Sequence, residues 1–347
     1  MSAAGTHETG IPEGFSPRAL RRRALAVVVA LTALVLVALF TPGLGEVRDR
    51  LAGASPVWLT LAVMLNLGAC ASYVLMVRPI FCSTLSWRTT IELGLSEQAA
   101  ISLVPATGAS GLALGAWILR REGLPAEQIA HRSVAFFLIK SSVNFAAVVI
   151  CGVAMAAGLG RTEVSPWLTA GAAGVAATVI ATVLLVPRLG PGPEPGANSG
   201  RIRKGVHSVR EALIAGTAEA VTVVRSGNVA VIGGAVGYWA FDNAVLWATF
   251  HALGAAPPLL VILMGYLIGQ LGGLLPLPGG VGGVDGGLIG ALLVYGAPAT
   301  ATVAAVLAFR LILFWVPLLI GTPAFVALYR RELQPAGSHA AADSSGA

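Results

Sequence analysis

The sequence predicts an all-α polytopic membrane protein: two inverted-topology halves of four elements each, each half holding a Pro/Gly-broken re-entrant hairpin. Three observations carry this. The chain is 56% hydrophobic and only 11% charged, with a mean hydropathy of +0.81, whereas a soluble domain carries about 25% charged residues. Its apolar stretches are long enough to cross about 30 Å of hydrocarbon. Finally, a 35-residue segment recurs at a fixed offset of 173 positions, so that Pro105, Gly123, Pro125 and Ala126 meet Pro278, Gly296, Pro298 and Ala299. Ala135-Phe136 likewise meets Ala308-Phe309, and Leu138-Ile139 meets Leu311-Ile312. Paired broken segments in corresponding halves mark many secondary transporters, whose substrate sits where the repeats meet.

Residues 1–23 form a basic N-terminus, with Arg18 and Arg21 to Arg23 at its end. The integral part runs from 24 to 328 in halves 24–157 and 166–328, and 329–347 is a short tail. Unbroken spans are predicted near 24–41, 57–77, 133–157, 166–187, 229–250 and 300–328, with interrupted segments at 91–119 and 258–297. Orientation follows from Lys and Arg, which accumulate on the cytoplasmic side. Arg78 and Arg88 precede 91–119, and Arg120, Arg121 and Arg132 follow it, so this segment enters and leaves on one side. Its 29 residues are too many for one span and too few for two at about 20 residues each. Continuing the path leaves 188–228 as a cytoplasmic linker and forces 258–297 to open on the opposite face. Of 22 Lys and Arg, only Arg48, Arg50 and Arg161 then lie outside, while Lys140 and Arg310 lie within the membrane. Both termini are expected in the cytoplasm, at the cell membrane.

The linker opens with LGPGPEPGANSGRIRKG, a Pro/Gly-rich seam. Beyond it Val206, Val209, Leu213, Thr217, Ala220 and Val224 recur at helical spacing, predicting a helix on the membrane surface.

Ionisable groups inside hydrocarbon are expensive and point to function. Lys140 and Arg310 fit that description. At the repeat offset Arg310 meets Phe137, three residues before Lys140, so both cations occupy one face of equivalent helices. They are expected to face inward and hold an anionic group such as a phosphate, with Glu97 and Asp285 close by. The alternative is an internal ion pair with Glu97, Asp242 or Asp285, and the two can share residues. Glu97 and Gln270 are equivalent by offset and are expected to line a shared polar cavity together with Asp242. Pro105 and Gly108 hinge the first hairpin, and Pro278, Gly279, Gly280, Gly282 and Gly283 the second. The glycines there let backbone turn sharply and approach a neighbour.

Catalytic and metal signatures are missing. The five histidines do not cluster, and no HExxH or GxSxG occurs. The scattered Cys70, Cys82 and Cys151 form no metal site. The glycine run lacks the GK[ST] of a phosphate-binding loop. No cofactor and no enzymatic activity are expected, and the basic charge reports membrane orientation rather than nucleic-acid binding.

The segment LLPLPGGVGGVDGGLIGALLVYGAP resembles the signature of the flippase-like family, also called the lysylphosphatidylglycerol synthase transmembrane-region family. Pro278, Gly279, Gly280, Gly282, Asp285, Gly296 and Pro298 carry the resemblance. LVPATGASGLALGAWILRREGLP is similar to the family's earlier Pro/Gly segment, and the likeness covers roughly 20–330. Departures are Asp285, where many members carry Glu, and Val284, where Arg is frequent. The resemblance implies translocation of aminoacylated phospholipids, glycolipids, polyprenyl-linked sugars or hopanoids between leaflets. No soluble aminoacyl-transferase domain is expected beside the membrane part, so synthesis is not expected to carry over. An accessory scaffold for a lipid- or glycan-modifying enzyme is the alternative expectation. A membrane transferase using Asp285 or Glu97 as base is a third.

Overall fold

The computed structural model describes residues 45–81, 85–103, 109–121, 123–159, 164–190, 200–270 and 283–333. Of the first apolar stretch it describes only the helical Arg22, Leu25, Val29 and Thr32. Most of span 24–41, and the hinge residues Pro105, Gly108, Pro278, Gly279, Gly280 and Gly282, lie outside the described residues; Gly283 lies inside them.

Among the described residues there are eleven α-helices and no strand. They are α1 (Gly45–Ala52), α2 (Pro56–Phe81), α3 (Trp87–Leu103), α4 (Ala109–Arg121), α5 (Ala126–Ala156) and α6 (Pro166–Leu185). After a short 3₁₀ turn follow α7 (Arg201–Arg225), α8 (Val229–Ala252), α9 (Leu259–Gly269), α10 (Gly283–Val294) and α11 (Ala299–Leu333). Helices α2, α5, α6, α8 and α11 are long and apolar enough to cross a membrane. At 1.5 Å per residue, α4, α9 and α10, of 13, 11 and 12 residues, fall well short of a hydrocarbon core.

Local chemistry sets the helix ends. Asn228 caps α8 by accepting from Ala230 N and Val231 N at 3.1 and 3.3 Å, the role of an N-cap amide. Helix α5 starts at Ala126, seven residues before the predicted span, because Pro125 is extended (φ −61°, ψ 143°) and frees the next residue to begin a turn.

The 173-residue offset reappears as backbone geometry. Gly123 and Gly296 are both left-handed, at φ +89° and +86°. Gly123 N donates to Arg120 O at 3.1 Å and Leu124 N to Leu119 O at 3.0 Å; Gly296 N donates to Leu293 O at 3.0 Å and Ala297 N to Leu292 O at 2.9 Å. Each pair closes a Schellman motif on the last carbonyls of a helix. The next long helix then opens with Ile129 N on Pro125 O and, at the same offset, Thr302 N on Pro298 O.

Helices α2 and α8 pack antiparallel, with Ser55 N donating to Ala252 O at 2.8 Å where the start of one meets the end of the other. Small residues bring them close. A Cβ on Gly234 would lie 2.8 Å from Ser72 O, and one on Gly68 would lie 3.1 Å from the Phe241 ring. Such surfaces associate by close backbone approach rather than by hydrophobic burial.

Two apolar cores lie at opposite ends of the long helices. One gathers α3 and α4 with the end of α2 (Val77, Phe81), the start of α5 (Ile129, Phe136), the start of α8 (Val231) and the end of α11 (Leu328). The other gathers α9 and α10 with Ala62 of α2, Met155 of α5, Phe250 of α8 and Ala304 of α11. The two broken segments therefore pack against opposite ends of one bundle.

The surface helix packs its middle against the bundle. Thr217 and Ala220 of α7 are buried, whereas Val206, Val209, Leu213 and Val224 are exposed. The physical reason is Gly216, where an added Cβ would meet Val134 at 2.5 Å and His131 O at 2.9 Å. That close approach seats the middle of α7 on α5, where Arg132 Nε lies 3.5 Å from Glu219 Oε1.

Candidate functional site

Between the two apolar cores lies a polar layer drawn from α2, α3, α5, α8, α9, α10 and α11. Glu97, on α3, is 2% exposed. Tyr73 OH of α2 donates to its Oε2 at 3.0 Å. The carboxylate needs room on its other side, and Gly115 of α4 supplies it: a Cβ there would lie 1.9 Å from Oε1. Sequence spacing alone cannot reveal that glycine's purpose.

Lys140, on α5, places Nζ 4.6 Å from the Tyr238 ring centroid and 5.6 Å from that of Tyr73. Both are within cation–π range, about 6 Å. Asp242, on α8, is buried and accepts a hydrogen bond from Tyr266 OH of α9. It interacts electrostatically with both Lys140 and Arg310. Arg310, on α11, places Nε 3.1 Å from Oδ1 of Asp285 in the first turn of α10. Side-chain exposures of 21% for Arg310 and 14% for Asp285 leave this pair partly open.

Of the candidates, Glu97, Lys140, Asp242, Asp285 and Arg310 are thus joined in one network. The ion pair weighed as the alternative for Arg310 is present. Removing one partner of such a pair strands a poorly solvated charge, at roughly 3–5 kcal/mol when fully buried. Gln270, the offset equivalent of Glu97, follows the last residue of α9 and is exposed, and its side chain hydrogen-bonds Tyr266, the partner of Asp242. In the second half the polar position on the short helix is Tyr266, one turn earlier.

Three tyrosines were missed by sequence reasoning: Tyr73, Tyr238 and Tyr266, of five in the chain. A usable signal existed. Tyr73 precedes Glu97 by 24 residues, and Asp242 precedes Tyr266 by 24. Each half thus spaces a phenol and a carboxyl so that one lies on the long helix and one on the short helix, with their order exchanged.

A second ionic cluster ties helix ends. Arg88 Nε and Arg331 Nη1 hold Glu92 at 2.9 and 2.7 Å, joining α11 to α3. Arg78 Nε donates to Leu85 O at 3.0 Å, and Arg132 donates to Phe81 O. The basic residues that mark one side of the membrane also satisfy carbonyls near the end of α2. Among the described residues, no group of three or more His, Cys, Asp or Glu suits a metal ion.

Comparison with known proteins agrees with this architecture. The chain is similar to UPF0104 membrane proteins of Methanothermobacter thermautotrophicus. One is 27% identical over 335 residues, covering 86% of this chain and 92% of the relative. Another is 37% identical over 103 residues, which span 29% of each. The family model described as the lysylphosphatidylglycerol synthase TM region matches residues 23–321. That match runs from the first apolar stretch through both broken segments and into α11. The chain is a multi-pass membrane protein that belongs to the lysylphosphatidylglycerol synthase TM region family.

Proposed function

We propose that this protein moves an anionic lipid, glycolipid or polyprenyl-linked intermediate between leaflets of the cytoplasmic membrane, without an enzymatic step. One observation carries the reading. Two cations from equivalent long helices, Lys140 and Arg310, both act electrostatically on one buried carboxylate, Asp242, in the layer between the two cores. A phosphate-bearing head group finds there two positive charges in a low-dielectric layer, while its tails remain in the bilayer. The Arg310–Asp285 pair occupies the site when it is empty and opens when phosphate offers Arg310 a bidentate acceptor.

The two broken segments at opposite ends of the bundle fit an inverted repeat whose hairpins open to opposite faces, with both termini cytoplasmic. Rocking one half against the other then exposes the polar layer to each leaflet alternately.

The test is translocation of a fluorescent anionic lipid in proteoliposomes. Arg310→Ala and Lys140→Ala are expected to cut the rate per reconstituted molecule, and Arg310→Ala, which leaves Asp285 unpaired, also to lower the protein level. Arg310→Lys is expected to restore it only in part, because a point charge cannot reproduce the planar fork. Full transport by Arg310→Ala refutes the phosphate role and favours a scaffold for a lipid- or glycan-modifying enzyme.

A further inference from the structure

The polar layer does not balance its charges. Away from the charged helix ends, the layer between the two cores holds three carboxyls and two strong cations: Glu97, Asp242, Asp285, Lys140 and Arg310. Segments 104–108 and 271–282, beyond the described residues, add no charged residue to that count. Glu92, at the entrance of α3, is already matched by Arg88 and Arg331. With every group ionised, the layer would hold one uncompensated negative charge. An isolated carboxylate in a poorly polarisable interior neutralises rather than remain charged.

The geometry selects which carboxyl does so. Asp285 has Arg310 at 3.1 Å. Asp242 has a phenol donor and feels both cations. Glu97 has neither guanidinium nor ammonium in contact. From α2 it meets the Tyr73 phenol; from α4 the Gly115 backbone. From α5, Lys140 reaches it only electrostatically, its Nζ lying over the Tyr73 and Tyr238 rings and acting on Asp242 as well. From α11, Gly321 touches α3 at Leu95, and the nearest basic contact made from there, Arg331, goes to Glu92. The Tyr238 ring under Lys140 and the Cys70 thiol both interact electrostatically with Asp242.

We infer that Glu97 is a proton-binding site, carrying an exchangeable proton on Oε1 while Oε2 accepts from Tyr73, and that this proton accompanies the anionic head group through the layer. The second half of the inference rests on the proposed translocation; the first does not. Protonation brings the layer to neutrality, and an anionic head group then restores one negative charge rather than creating two. The proton bonds to a Glu97 oxygen on loading, leaves that oxygen on release, and is exchanged with water at either face. Reciprocity follows: lower pH tightens head-group binding, and head-group binding draws in a proton.

The full-length protein in phosphatidylcholine nanodiscs gives the test. Infrared difference spectra at neutral pH are expected to show the carbonyl stretch of a protonated carboxyl in wild type and its loss in Glu97→Gln. That substitution keeps the hydrogen bond from Tyr73 and mimics the protonated state, so folding is retained. Should it nonetheless fail to accumulate, Glu97→Asp is expected to shift the band. Adding short-chain phosphatidylglycerol to wild type at the higher pH where that band has lost half its intensity, with a pH-indicating dye, is expected to register proton uptake that Glu97→Gln loses. No protonated-carboxyl band in wild type, an unchanged band in Glu97→Gln, or absence of proton uptake overturns the inference. A band that responds to sodium but not to pH also overturns it, because a metal ion would then balance the charge. Failure of lipid transport with the band intact sinks the translocation reading alone.

Discussion

At the scale of single residues, the two phenol–carboxyl contacts are chemically alike and electrostatically different. Tyr266 donates to an acid faced by two cations, whereas Tyr73 donates to one that only Lys140 reaches from a distance. A hydrogen bond to an ionised group contributes about 1.5–3 kcal/mol and one to a neutral group about 0.5–1.5 kcal/mol. Tyr266→Phe is therefore expected to destabilise the protein more than Tyr73→Phe, measured by unfolding in mixed detergent micelles. Equal losses would mean that Glu97 and Asp242 hold the same charge. The left-handed glycines make a second residue-scale case. Gly123→Ala and Gly296→Ala place a Cβ at positive φ, which costs roughly 1–2 kcal/mol, although neither Cβ would meet an atom within 4 Å. Each is expected to lower thermal stability by backbone strain alone, and Asn, which tolerates that region, is expected to recover part of the loss.

Between elements, glycines set how near two helices come. A Cβ on Gly321 would lie 2.3 Å from Leu95 O, so α11 rests on α3 with no side chain between them. Gly321→Leu is expected to push the two apart and cost about 1–3 kcal/mol or more. Gly233→Leu, on the same helix as Gly234 but with nothing within 4 Å, is the matched control and is expected to be silent in the same melt. Helix α1 is tied to α11 by electrostatics. Arg50 and Thr300 hold the Glu46 carboxyl below its usual range through hydrogen bonds. Because the folded-state pKa is depressed, this tie is present above the unfolded pKa and is lost as pH falls through the folded one. The stability difference between wild type and Glu46→Gln is expected to vanish at acid pH, and a difference that grows on acidification would contradict the assignment.

For the whole molecule, antiparallel α2 and α8 with broken segments at opposite ends lead to a sidedness that can be read directly. In a background lacking Cys70, Cys82 and Cys151, a cysteine at Ser165 is expected to react with a membrane-impermeant reagent in intact cells. One at Ser199 or Ser226 is expected to react only after permeabilisation. Labelling of Ser199 from outside would reverse the second half and sink the inverted-repeat reading.

The sequence by itself determined the class of the molecule and the helices that carry charge, because each is a one-dimensional property. Hydrocarbon thickness sets the length of an apolar run, and the positive-inside bias sets its direction. A repeated Pro and Gly frame fixes where helices stop, so the offset of 173 reappeared as matched Schellman motifs at Gly123 and Gly296. Lys140, Arg310, Glu97, Asp242 and Asp285 stood out for the same reason, since charge within an apolar run is visible without coordinates. Which charge faces which was decided only by the tertiary structure. The offset paired Glu97 with Gln270 but did not show their partners: Glu97 accepts from Tyr73, whereas the exposed Gln270 hydrogen-bonds Tyr266. Tyr73, Tyr238 and Tyr266 entered the network through helix rotation, and Gly115 through the closeness of two short helices. Side-chain partnership depends on the rotation and separation of packed helices, quantities that spacing along one chain does not contain.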